Sequence, residues 1–150
     1  MLLDCVAGGA SISFMAGLSS ERAEGFWRDA ALAARGDGRA IIVAEADGAI
    51  VGVVQVIPVL IDNQPHRAEV AKMLVHRRAR KRGVGARLMT AAEAAARAMG
   101  RTLLTLDTVT GADGERLYRR MGWTFVGAIP DYALYPNGRL VGTSIFYKAL

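Results

Sequence analysis

The chain has 150 residues, 52% hydrophobic and 22% charged, which suits the core of one globular domain. Its longest apolar stretch, Ala49 to Ile61, is broken by Gln55 and Pro58 and falls short of the roughly twenty residues of a membrane helix. The net charge of +5 is concentrated: Arg67 to Arg87 carries eight basic residues against Glu69 alone, a local +7, which points to one anionic ligand at one place.

The opening MLLDCVAGGA has no cationic stretch ahead of an apolar one, so it does not read as a secretory signal and a cytoplasmic protein is expected. One cysteine, Cys5, excludes an internal disulfide framework. His66 and His76 lack helical ligand spacing, so no metal is expected. A helix is predicted over Ser20 to Ala34, with Ser19 or Ser20 as N-cap, Glu21 and Glu24 early, and Gly36 past its end. AIIVAEA and IVGVVQV flank Asp47-Gly48, a two-residue turn suited to an antiparallel hairpin. Ala68 to Val75 reads as a third strand. Val84 to Met99 is helical in period, through Leu88, Met89, Ala92, Ala96 and Met99, with Gly100 as its stop. Thr102 to Thr108 is a further strand and Asp113 to Met121 a short helix closed by Gly122. Trp123 to Gly127 and Ser144 to Leu150 are final strands, joined through the turn signal Pro136-Asn137-Gly138. No repeat or linker divides the chain, so residues 1–150 are expected to form a single domain with a mixed α/β sheet.

The stretch VAKMLVHRRARKRGVGARLM places Gly83 and Gly85 where a strand gives way to a helix. Free backbone N–H groups and the positive end of a helix can hold a phosphate there, and Arg80, Lys81 and Arg82 add full charges. Glycines at such a turn can equally be backbone punctuation. The spacing fits neither a Walker loop nor a dinucleotide fingerprint, since Leu88 stands three residues after Gly85. Cys5 lies far from this loop in sequence and reads as a small buried residue.

The pattern R-x-x-G-x-G (Arg80, Gly83, Gly85) resembles the acetyl-CoA-binding motif of the GNAT superfamily of N-acetyltransferases. LLTLDTVTGADGERLYRRMGWTFVG resembles that superfamily's next strand and helix, with its Leu-Tyr-x-x-x-Gly-aromatic signature at Leu117, Tyr118, Gly122 and Trp123. Within the superfamily, GGASISFMAGL, HRAEVAKMLV, LLTLDT and YPNGRLVGTSIFYKAL are similar to the tabtoxin-resistance acetyltransferases, which acetylate a β-lactam toxin. The likeness includes Gly111, where many superfamily members have asparagine; departures are Lys81, where the commoner pattern has a glycine, and a start inside the first helix, without the usual first strand. An uncovered sheet edge would then favour a homodimer.

The resemblance implies that the mixed α/β sheet is mostly antiparallel and flanked by helices. It implies acetyl-CoA as co-substrate, with its pantetheine arm along Met73, Leu74 and Val75. It implies a pyrophosphate on Arg82, Gly83, Val84, Gly85 and Ala86, and acetyl transfer by direct attack in a ternary complex. It further implies Asp107 as general base and Tyr118 as partner acid. Read from the residues alone, Asp107 could instead cap a turn after an apolar strand that disfavours aspartate, and Tyr118 could pack beside Leu117 and Met121. His76 reads as a solvated or satisfied side chain rather than a catalytic base, Arg77 and Arg78 as an exposed face with some of it near the cofactor's 3′-phosphate, Phe26 and Trp27 as helix packing rather than acceptor pocket, and Trp123 and Phe125 as strand core. The expected acceptor is a small molecule with an amine or hydroxyl, such as a toxin or antibiotic. The alternatives are a protein N-terminus or lysine, and a nucleic-acid module built on HRRARKR. That run lacks interleaved aromatics on which bases could stack, which argues against nucleic acid.

Overall fold

The computed structural model describes all 150 residues, Met1–Leu150. In chain order the elements are α1 (Leu2–Ala7), α2 (Ser20–Ala33), β1 (Ala40–Ala46), β2 (Ala49–Pro58), β3 (Arg67–Val75), α3 (Val84–Ala98), β4 (Leu103–Val109), α4 (Asp113–Arg120), β5 (Thr124–Leu134) and β6 (Leu140–Ala149). A single 3-10 turn, Arg77–Ala79, leads from β3 toward α3.

The six strands form one sheet in the order β1-β2-β3-β4-β6-β5, parallel only between β3 and β4. The mixed, mostly antiparallel α/β sheet expected from the sequence is present, and no strand precedes β1. The two C-terminal strands are longer than predicted. β5 continues to Leu134 across an irregularity between Ile129 and Ala133 that takes up Pro130, and β6 begins at Leu140. Proline donates no ladder bond and is confined to edges or bulges, so a pattern reader stops there; β5 is an edge strand and tolerates it.

Alternation along the strands sends side chains to two cores. Val54, Val56, Leu104, Leu106 and Phe146 pack against Val84, Leu88, Met89, Ala92 and Ala96 of α3 and against Tyr118 of α4. On the opposite face, Val53 and Leu74 meet Leu2, Cys5 and Val6 of α1 and Ala23 of α2. Ser19 is the N-cap of α2, its hydroxyl accepting the Arg22 N–H at 3.2 Å. Buried Glu93 on α3 is neutralised by Lys148 of β6, whose Nζ lies 2.8 Å from its Oε1 and also donates to the Met121 carbonyl at 2.8 Å. One side chain thus ties α3, β6 and the end of α4.

The helix α1 is six residues long and cannot persist on propensity alone. It is docked by Asp4, whose carboxylate accepts the Arg77 backbone N–H at 2.9 Å and its Nε–H at 2.8 Å, with His76 Nε2 at 3.6 Å. Burial pushes the Asp4 carboxyl up, but the Arg77 hydrogen bonds and the charges of His76 and Arg77 outweigh it, leaving Asp4 below its ordinary 3.8. Asp4→Ala is expected to cost about 1.5 kcal/mol, the low end for charge-assisted hydrogen bonds, because the Arg77 guanidinium is half exposed. A lowered carboxyl stabilises the fold above its unfolded pKa and loses that effect as pH falls through the folded value. Urea midpoints measured at neutral pH and below 3.8 should therefore differ less for Asp4→Ala than for the parent chain. Arg77, expected on a solvated face, is part of this clasp.

Candidate active site

Strands β3 and β4 pair only over Arg67–Glu69 with Leu103–Thr105 and then separate. From Val70 onward β3 has no partner on its β4 side, so the sheet opens into a cleft. A β-bulge in β3 widens it: Leu74 pairs with Val53 and Ala71 with Gln55, leaving Lys72 and Met73 opposite Val54 alone. The cleft has a volume of about 1220 Å³ and is lined from β3, the Ala79–Ala86 loop, the ends of β4 and β6, α4 and the N-terminal segment.

At one end sits the basic loop. Lys81 and Gly83 are left-handed, at φ 60° and 75°, and Gly83 is the N-cap of α3. No protein acceptor takes the N–H groups of Lys81, Arg82 and Gly83, and those of Val84, Gly85 and Ala86 open the helix, where intrahelical partners are lacking. Consecutive free N–H groups at a helix start, beside Arg80 and Lys81, form a cradle that fits the two phosphates of a pyrophosphate. Gly83 has open space where a Cβ would lie, whereas a Cβ on Gly85 would come 3.1 Å from Leu117 Cδ2 and near the Met73 sulfur. Gly85 therefore lets α3 approach α4 and β3. Arg82 is exposed and its side chain lies outside the cleft lining, unlike Arg80 and Lys81.

Of the three β3 residues expected along a cofactor arm, Leu74 is buried under α1 and α2, so only its backbone can face the cleft. Met73 packs toward Gly85, and the Val75 carbonyl accepts from Arg80 Nε at 3.2 Å. Cys5 Sγ lies 3.8 Å from the same carbonyl. Burial pushes the Cys5 thiol up and keeps it protonated, as suits a packing residue.

Asp107 and Tyr118 both line the cleft. Asp107 is exposed near the end of β4, and its Oδ2 accepts the hydroxyl of buried Thr143 from β6 at 2.7 Å. Tyr118 is 5% exposed, its ring 5.9 Å from that of Trp123 and 6.1 Å from that of Phe146. Burial, reinforced by the Asp107 charge, pushes the phenol far above its ordinary range, so it stays protonated and has a proton to donate. The helix carrying it is pinned by Glu115, which accepts the Gly111 N–H at 2.6 Å and the hydroxyl of buried Ser144 at 3.1 Å, and pairs with Arg119 at 2.7 Å.

Three features escaped the sequence reading. Thr143 orients Asp107 from 36 residues away, which no local pattern encodes. The segment Ser11–Ala16 straps the cleft: Ser11 Oγ donates to the Leu134 carbonyl at 2.7 Å, and the Ala16 N–H donates to the Pro136 carbonyl at 3.1 Å. Lys72 enters the cleft from the bulge, its Nζ 2.8 Å from Ser13 Oγ. Its signal was available, a charge inside the apolar run VAKMLV. Phe26 and Trp27 pack in the smaller core, as expected. Trp123 is buried just ahead of β5, whereas Phe125 is 39% exposed beneath the Arg119 guanidinium, 4.5 Å away, and is not core.

A family model described as an acetyltransferase (GNAT) domain matches residues 37–125, a span that contains the loop, Asp107 and Tyr118. The chain belongs to the GNAT acetyltransferase family, and it is an acyltransferase that takes its acetyl group from acetyl-CoA. Among solved structures it is similar to the ribosomal-protein-alanine N-acetyltransferase of Brucella melitensis, at 23% identity and a TM-score of 0.81, over 99% of this chain and 92% of that one. It is similar also to YncA of Salmonella typhimurium, solved with its cofactor acetyl-CoA, at 18% identity and a TM-score of 0.80, over 99% and 84% of the two chains. A GCN5-related N-acetyltransferase of Kribbella flavida matches at 24% identity and 0.79, over 99% and 88%. At these identities the likeness is one of fold. No helix is long and apolar enough to cross a membrane.

Proposed function

We propose that the protein acetylates an amine of a small molecule by direct attack in a ternary complex, with Asp107 as general base and Tyr118 as general acid. The observation that carries this reading is their placement: a carboxylate and a phenol held protonated face one cleft, whose lining also includes Lys81 and Gly83–Ala86 of the anion cradle. Bound there, acetyl-CoA supplies the activated acetyl group. The cradle N–H groups, Arg80 and Lys81 hold its phosphates, and the unpaired edge of β3 at Met73–Val75 hydrogen-bonds its amide-bearing arm. Asp107 takes the proton of the amine, directly or through one water, as nitrogen bonds to the acetyl carbon. Tyr118 gives its phenolic proton to sulfur as the carbon–sulfur bond breaks. A hydroxyl acceptor would use the same groups.

The resemblance to tabtoxin-resistance enzymes supports a toxin or antibiotic, such as a β-lactam, as acceptor. A protein N-terminus or lysine is the second reading, favoured by the activity named for the Brucella neighbour. The Ser11–Ala16 strap argues for the smaller acceptor, because it bridges the cleft where a polypeptide would have to enter. Nucleic acid is disfavoured, since the basic run lacks interleaved aromatics on which bases could stack and Arg77 is held by Asp4. We place the reaction in the cytoplasm on the sequence reading, treat residues 1–150 as one domain, and regard the edge strands β1 and β5 as a reason for a homodimer. The test is CoA release by purified protein with amines, amino acids, β-lactam toxins, aminoglycosides and peptides. Saturable release with a small amine is expected; release with peptides alone would transfer the proposal to the second reading.

A further inference from the structure

Lys72 combines three features that packing does not explain. It sits at φ +50° in the β3 bulge, a left-handed conformation that glycine or asparagine adopts at less cost. Its long side chain enters the cleft, where the ammonium has one hydrogen-bond partner, Ser13 Oγ at 2.8 Å, and lies 5.9 Å above the Phe26 ring. It joins none of the six ion pairs of the molecule, and neither does Asp107. Burial pulls the Lys72 ammonium below its ordinary value, and the charges of Asp107 and Glu69 oppose that pull. One cleft therefore holds an ammonium with two free donor positions and a carboxylate with a free oxygen, unpaired with each other. The bulge sets that backbone and directs a long cationic side chain into the cleft.

We propose that Lys72 binds the carboxylate of the acceptor while Asp107 faces its amine, so that the acceptor is a small zwitterion of the α-amino acid type. The inference rests on the acetyl-transfer reading above and specifies its substrate. An amino acid carries its two charges on one carbon, which suits a cationic group from β3 and an anionic group from β4 in the one cleft where those strands part. A simple amine would leave the Lys72 ammonium half-buried and without a direct ion-pair partner, a cost that discriminates against it. The transfer joins the α-nitrogen to the acetyl carbon and breaks the carbon–sulfur bond, and CoA leaves as the thiol.

The experiment compares CoA release with amino acids and their decarboxylated partners: L-phenylalanine and phenethylamine, L-tyrosine and tyramine, L-histidine and histamine, L-lysine and cadaverine. Wild-type protein is expected to favour the amino acid in at least one pair by about tenfold or more in kcat/KM. Lys72→Gly should collapse that ratio toward one, mainly through KM for the amino acid, and Lys72→Arg should restore part of it. Glycine suits φ +50°, so Lys72→Gly should melt no lower than the parent, which separates lost recognition from lost folding. Turnover of no amino acid by protein that binds acetyl-CoA, no preference within any pair, or a preference that survives Lys72→Gly would each overturn the assignment. Failure to bind acetyl-CoA at all would instead overturn the acetyl-transfer reading and this assignment with it.

Discussion

Tyr118→Phe is expected to lower turnover about 10²-fold while leaving acetyl-CoA affinity unchanged. The substitution removes one oxygen and keeps the ring between Trp123 and Phe146, so the packing that holds α4 survives. The effect belongs at the lower end of the 10²- to 10⁴-fold range typical of general acids. Burial has made this phenol a weaker acid than a free tyrosine, which limits how far it can help a departing thiolate. Asp107→Asn should cut turnover by about 10²- to 10³-fold and remove the limb of the kcat/KM profile that reports the base. Asparagine can still accept the Thr143 hydroxyl, so the geometry should persist. If both variants turn over within about threefold of the parent on an authentic acceptor, these roles are wrong and catalysis rests on positioning.

Gly83→Asp is expected to weaken acetyl-CoA binding by about 100-fold or more, equivalent to about 2.7 kcal/mol, as read by calorimetry. Position 83 is the better probe of the cradle than position 85. A Cβ at 83 meets nothing within 4 Å, whereas one at 85 would strike Leu117 and disturb helix packing. Aspartate tolerates the left-handed backbone better than most residues, so the variant should fold. Its carboxylate would stand at the N-cap of α3 and compete with a phosphate for the same N–H groups. A folded variant with parental affinity would show that the pyrophosphate does not lie at this loop.

The contrast between Asp107 and Lys72 shows what was legible in the sequence. Both are charges set in apolar strands, and the same argument applies to each. Asp107 stood out because it ends its run, while Lys72 was absorbed into a basic cluster that begins at Arg67. The hairpin around Asp47-Gly48 and the α3 register were readable because turn chemistry and a 3.6-residue period are local. The bulge, the parting of β3 from β4 and the Thr143–Asp107 bond were not, since each depends on partners brought together only by the sheet. Gly85 was read as a place for a phosphate because its spacing fits the motif. The direction its Cβ would take, toward Leu117, is a tertiary fact.

The position of β6 has a consequence for how the chain is made. It lies between β4 and β5, so neither of those earlier strands has its main partner until residues 140–149 exist. On the ribosome, β1 to β3 and α3 can assemble as a local unit while the remaining strands wait exposed. The wall of the cleft that carries Asp107, together with the buried Ser144 and Thr143 hydroxyls that brace it, is completed only by the last strand of the sheet to be synthesised. An arrest of translation before β6 therefore yields a half-built sheet with two open edges, a species that chaperones bind and proteases clear.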